Sequence, residues 1–126
     1  MVPQKTNTRN FEAHRKKAKD EVRKVLIDTA KNRKTIAYSD LVKLIESWEI
    51  LAKDKQLDDV LSEISVEEYK CGRGMLSVVV VHKRGDMQPG PGIYKLAKEL
   101  GIDTSDKLKT WADQLNTVHK QWSGNI

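Results

Sequence analysis

The sequence predicts a mostly α-helical single domain carrying a small antiparallel β element. Three observations lead there. Apolar residues recur at spacings of three and four along most of the chain, the signature of amphipathic helices. Only two stretches have the β-branched, extended character of strands: "KTIAY" at 34–38 and "MLSVVVVH" at 75–82. Finally, 126 residues leave room for one hydrophobic core.

Taken in order, residues 1–9 read as a flexible polar arm, and 10–126 as the domain. A first helix is expected from about Asn10 to Asn32, with Phe11, His14, Ala18, Val22, Val25 and Thr29 on its inner stripe. Leu26 and Ile27 widen that stripe toward the C-terminal half. Thr35 and Ile36 mark a short strand. Ser39 is a candidate N-cap for a second helix, with Asp40 in its first turn and Leu41, Leu44, Ile45, Trp48 and Leu51 on one face. A third helix is expected from Asp54, with Leu57, Val60, Leu61 and Ile64 at i, i+3, i+4 and i+7. "SVEE" at 65–68 has the form of a capping box and predicts one further turn. Four successive valines make Met75–His82 the strongest strand, to be paired antiparallel with the first. "IYKLAKELG" then reads as a helix closed by Gly101, and Thr104 or Ser105 opens a last helix striped with Leu108, Trp111, Leu115, Val118 and Trp122.

Composition narrows the function. No stretch of about 18 apolar residues is present, so no membrane span is expected. A single cysteine, Cys71, excludes an internal disulfide and a cysteine-based metal site, and with a polar N-terminus predicts a reducing, cytoplasmic setting. The net charge of +5 is unevenly placed. Residues 1–34 hold 11 Lys/Arg against 4 Asp/Glu, or +7, whereas residues 35–126 hold 12 against 14, or −2. Such asymmetry predicts a polyanionic partner for the N-terminal end.

The Gly/Pro stretch from Arg84 to Gly92, set between strand and helix, invites comparison with phosphate loops. Gly85 and Gly90 have Walker A spacing, but Pro91 and Gly92 stand where Lys and Ser/Thr are required. The dinucleotide pattern fails at Lys95, which replaces a third glycine. Pro89 and Pro91 also remove two backbone N–H donors from any cradle. A rigid reversal remains, with Gly90 and Gly92 free to take positive φ. Catalytic groupings are thin. His82 with Asp86 is one pair, and Glu68-Tyr69-Lys70 is half of a metal-dependent nuclease pattern whose further acid would come from Asp58 or Asp59. His14 and His119 have no second ligand at helical spacing, so neither metal nor cofactor is expected.

"TIAYSDLVKLIE" followed by "RGMLSVVVVHKRGDMQPGPGIYKLAKELG" resembles a group of small bacterial proteins and domains. They share a tyrosine before a helix, an Arg-x-x-Leu-Ser strand, a Pro-Gly-x-Gly turn and a terminal aromatic-rich helix. The likeness spans about residues 35–122 and rests on Arg73, Leu76, Ser77, Pro89, Gly90 and Gly92. It implies a fold unit and no particular activity. The order of elements also resembles a winged helix, giving a winged-helix-like α+β domain, although "GPGIYKLAKELG" passes to helix where a third strand would stand.

The leading expectation is therefore a small nucleic-acid-binding protein, with DNA as the first candidate, that docks by electrostatics. Lys16, Lys17, Lys19, Arg23 and Lys24 on the first helix would contact phosphates, joined by Arg73, His82, Lys83 and Arg84 at the strand ends. Two further readings stand beside it: an interaction subunit whose basic helix meets an acidic protein, and a metal-dependent nuclease.

Overall fold

A computed structural model describes residues 3–45, 57–82 and 92–123, with side chains from residue 13 onward. The order is α1 (Pro3–Lys31), β1 (Ile36–Ala37), α2 (Tyr38–Leu44), α3 (Leu57–Lys70), a 3₁₀ turn (Leu76–Val79), β2 (Val80–Val81), α4 (Gly92–Glu99) and α5 (Lys107–Ser123). Helix α1 starts at Pro3 rather than near Asn10, so most of the segment expected as an arm has helical backbone. A proline is well suited to the first helical position, where its missing N–H leaves no bond unmade.

The β element is not antiparallel. β1 and β2 pair in parallel, Ile36 with Val80 and Ala37 with Val81. Parallel pairing needs a long crossover, and the segment between the strands, which includes α2 and α3, supplies it. A wing is built on an antiparallel hairpin, so the winged-helix expectation falls with the pairing. The valine-rich stretch is also mostly not strand: Leu76–Val79 form a 3₁₀ turn and only Val80–Val81 extend. Tertiary burial overrides β propensity here. The turn packs against α1, α3 and α5 at once, with Leu76, Ser77, Val78 and Val79 all buried.

Backbone buried outside a regular element must find partners elsewhere, and here side chains provide them. The Ser77 N–H donates to Ser65 Oγ of α3 at 2.9 Å. The Met75 N–H donates to Gln114 Oε1 of α5 at 3.1 Å, and the Trp111 indole N–H donates to the Val78 carbonyl at 2.9 Å. Ser65 thus serves the turn instead of capping a new helix at "SVEE", and α3 runs unbroken to Lys70. Gly74, at φ +86°, leads into the turn so close to α5 that an added Cβ would lie 3.1 Å from both Thr117 Cγ2 and Val118 Cγ2.

Around the turn, α1 buries Ala18, Val22, Leu26 and Ala30, while His14 stays exposed. α3 buries Leu57, Val60, Leu61 and Ile64, as its spacing predicts. α2 begins at Tyr38 after Ala37, with no side-chain cap from Ser39; Trp48 and Leu51 lie outside the described residues. α5 is capped by Asp106, whose Oδ1 accepts the Lys109 N–H at 3.1 Å, and it turns Thr110 and Val118 inward while Leu108 is 56% exposed. The full burial of side chains such as Leu26, Ile64 and Leu76 stabilises by about 1.5–3 kcal/mol each.

Three helices end alike. In α4, Gly101 (φ +85°) donates to the Lys98 carbonyl and Ile102 to Ala97, the paired bonds of a Schellman motif. α3 closes the same way at Gly72, but α1 closes on Arg33, a non-glycine residue held at φ +53°. Arg33→Gly should therefore raise stability by about 0.5–1 kcal/mol, read as a higher urea midpoint. Ser65→Ala, which strands the buried Ser77 N–H, should lower it by about 1–3 kcal/mol in the same assay.

Candidate functional site

The basic residues of α1 divide into two sets according to which side of the helix they occupy. Arg15, Lys19 and Arg23, four apart and so on one face, meet Glu63, Glu67 and Glu68 of α3. Arg15 grips Glu63 with both nitrogens, at 2.6 and 3.2 Å. Lys19 reaches Glu63 at 3.1 Å and Glu67 at 2.7 Å. Arg23 bonds to Glu67 and, at 2.6 Å, to Glu68. Arg73, just past α3, completes the row by holding Glu68 through Nε at 2.6 Å and Nη2 at 3.0 Å. Partner numbers rise together, so the two helices run side by side in the same direction.

Glu68 is the anchor of this ladder, only 3% exposed and gripped by two guanidinium groups. A carboxylate so buried is tolerated because both oxygens are bonded to cations. Arg73 also lies 5.9 Å from the Trp122 ring centre, which ties the ladder's end to α5. The electrostatics agree with the geometry. The Glu63 carboxyl is held below the ordinary range by its bonds to Arg15 and then Lys19, and Glu67 by Lys19 and then Arg23. Burial opposes the charge of Lys19, but the two glutamates outweigh it and raise its pKa.

Of the expected phosphate contacts, Lys19, Arg23 and Arg73 are therefore engaged within the fold. Lys16 makes a 3.3 Å pair with Asp20 on the open surface, the kind of exposed contact worth little. Lys17 and Lys24 are exposed, as is Lys31, and the i, i+7 spacing sets all three along one outward line of α1. Lys83 and Arg84 lie outside the described residues, as does Asp86. Gly92 is described: it opens α4 and does not take positive φ. The nuclease grouping is not assembled, since Glu68 faces the two arginines while Asp58 sits ten residues earlier on the same helix, about 15 Å along its axis. Among the described residues no group of three or more His, Cys, Asp or Glu is placed to hold a metal ion, and no helix is long and apolar enough to cross a membrane.

His82 belongs to a second feature that the spacing of residues did not reveal. At the exit of β2 its ring stacks on Tyr38, with centroids 6.1 Å apart and planes 22° from parallel. Parallel strand pairing produces this contact, because each residue directly follows its strand. The two rings border a cleft of about 340 Å³ that is also lined by Asp58 and Ser62 of α3 and by Ile93 and Leu96 of α4. Burial, followed by the facing Asp58 carboxylate, raises the Tyr38 hydroxyl above the ordinary tyrosine value.

Comparison with family models, with curated protein sequences and with solved structures finds no match.

The ladder predicts an acid limb to stability. Glu63 and Glu67 ionise more readily folded than unfolded, so their contribution is complete above the unfolded glutamate pKa of about 4.3 and is lost as pH falls through the lowered folded values. Urea midpoints should drop below about pH 4.5. Glu63→Gln/Glu67→Gln should be less stable at pH 7 and show a flatter acid limb.

Proposed function

We propose that the protein binds nucleic acid, through phosphate contacts from the outward line of α1 that the ladder leaves open. The charge remaining once the ladder is set aside supports this reading. Without Arg15, Lys19 and Arg23, residues 1–34 keep 8 Lys/Arg against 4 Asp/Glu, a surplus of +4. Without Arg73, Glu63, Glu67 and Glu68, residues 35–126 keep 11 against 11 and are neutral. The net surplus therefore lies in residues 1–34, on α1 and on Arg33 and Lys34 just beyond its end. A one-sided surplus of this kind steers a polyanion toward one end of a molecule and binds it by releasing condensed counterions.

The ladder supports a division of these residues between binding and holding the fold. Lys17, Lys24 and Lys31 on the outward line are the phosphate contacts, with the exposed Lys16 beside them; Lys19, Arg23 and Arg73 are structural. Fluorescence anisotropy with duplex and single-stranded oligonucleotides, at about 50 and 200 mM salt, tests this assignment. Lys17→Ala and Lys24→Ala should each weaken binding evenly across sequences and reduce the slope of log K against log salt by about 0.7–0.9. Arg23→Ala should lower the urea midpoint and leave that slope nearly unchanged. Absence of binding to either form at about 50 mM salt would overturn the reading and leave an acidic protein surface as the partner to test.

A further inference from the structure

The acid on the described lining of the cleft beside Tyr38 and His82 disfavours a phosphate there. No Lys or Arg borders it among the described residues, and the acid there is Asp58. Its other features suit a flat heterocycle. Leu61, Val80, Val81, Ile93 and Leu96 provide apolar walls, and the exposed His82 ring, backed by Tyr38, offers a stacking face. About 340 Å³ lies at the small end of ligand sites, enough for one fused two-ring system. Asp58, in the first turn of α3 and exposed, presents carboxylate oxygens at the edge of this space. Such a group accepts hydrogen bonds and offers none; even with the Tyr38 hydroxyl facing it, lone pairs remain for a ligand.

We propose that this cleft holds one unstacked guanine of a single-stranded nucleic acid, stacked on His82 and bonded along its pairing edge to Asp58. The proposal rests on the nucleic-acid reading above and adds the base-recognising group that the lysines of α1 cannot supply. Edge chemistry selects the base. Guanine places two donors side by side, N1–H and the 2-amino group, matching the two oxygens of a carboxylate. Adenine puts an acceptor at N1, which a carboxylate repels. Uracil flanks its one N–H with carbonyls, and cytosine offers a single amino group beside an acceptor. Recognition of a splayed base by aromatic stacking and its pairing edge is the usual route to sequence preference on single strands.

Two measurements on the full chain test it. In the first, guanosine, inosine, adenosine and uridine are titrated by NMR, following the amides of Ser62, Val81, His82 and Ile93. Guanosine should bind tightest, inosine, which lacks the 2-amino donor, should be weaker, and adenosine should be weakest of the purines. In the second, anisotropy compares a thymidine nonamer with the same nonamer carrying one central guanine, expected to bind about tenfold tighter. Asp58→Asn should bring guanosine down to the level of adenosine, while His82→Ala should weaken all purines alike. Equal binding of the four nucleosides, or a guanine preference that survives Asp58→Asn, would overturn the proposal. Should the all-thymidine strand bind with steep salt dependence and guanine add nothing, the cleft assignment falls and the α1 reading stands. Should guanosine bind in the cleft while no oligonucleotide binds at low salt, the α1 reading falls and takes the single-strand proposal with it, leaving a free guanine nucleoside as the ligand of the cleft.

Discussion

A main chain buried without helix or sheet around it has to be bonded by side chains, and residues 75–79 are where this protein meets that requirement. Ser65, Gln114 and Trp111 each spend a polar group on that segment. Each bond also fixes how its helix is rotated, since a serine on α3 or an indole on α5 can reach the turn from one orientation only. With α1 packed on the third side, the turn sets the spacing of the three long helices. Gly74 admits α5 at close range because it has no side chain to displace. The apolar burial on all sides supplies most of the favourable energy, but the polar bonds decide which packing it stabilises.

The second organising feature is the way positive charge is shared between fold and surface. Four cations and three carboxylates line the seam between α1 and α3 and its extension at Arg73. The seam's cations are partly shielded, Lys19 to 17% and Arg23 to 24% exposure, which gives their pairs more weight than surface contacts have. Lysine and arginine differ in their use here. The guanidinium groups take the two-pronged contacts, on Glu63 and on the buried Glu68, where a planar fork fits a carboxylate. Lys16, Lys17, Lys24 and Lys31 remain on the outer surface of α1.

What could be read from the residues followed from periodicity and from chain-terminating glycines. The α3 stripe was plain because Leu57, Val60, Leu61 and Ile64 keep strict helical spacing, and Gly101 announced the end of α4. The α1 stripe was half right: Ala18 and Val22 are buried, but His14 faces solvent and Ala30 carries no hydrophobic signal strong enough to notice. Four valines in a row misled, since β-branching favours an extended chain locally while burial among three helices rewards a compact one. Strand direction was beyond reach, because it depends on the path of the long segment that includes α2 and α3. The same applies to the charges. Arg23 and Lys24 are neighbours of equal sign in the sequence, and only the position of α3 makes one structural and the other free. Tyr38 and His82 stood forty-four residues apart with no spacing to link them.

That distance has a kinetic side. The parallel pair of β1 and β2 joins residues whose separation is a third of the chain, and it makes only two register contacts. Closing so long a loop costs entropy before either hydrogen bond is gained, whereas the helices need only local contacts to begin. The pair is thus the costliest contact to close by local search, and α2 and α3 are the elements that carry the chain between its ends. Because the stacked rings of Tyr38 and His82 begin where those two strands stop, forming the cleft requires that long-range closure.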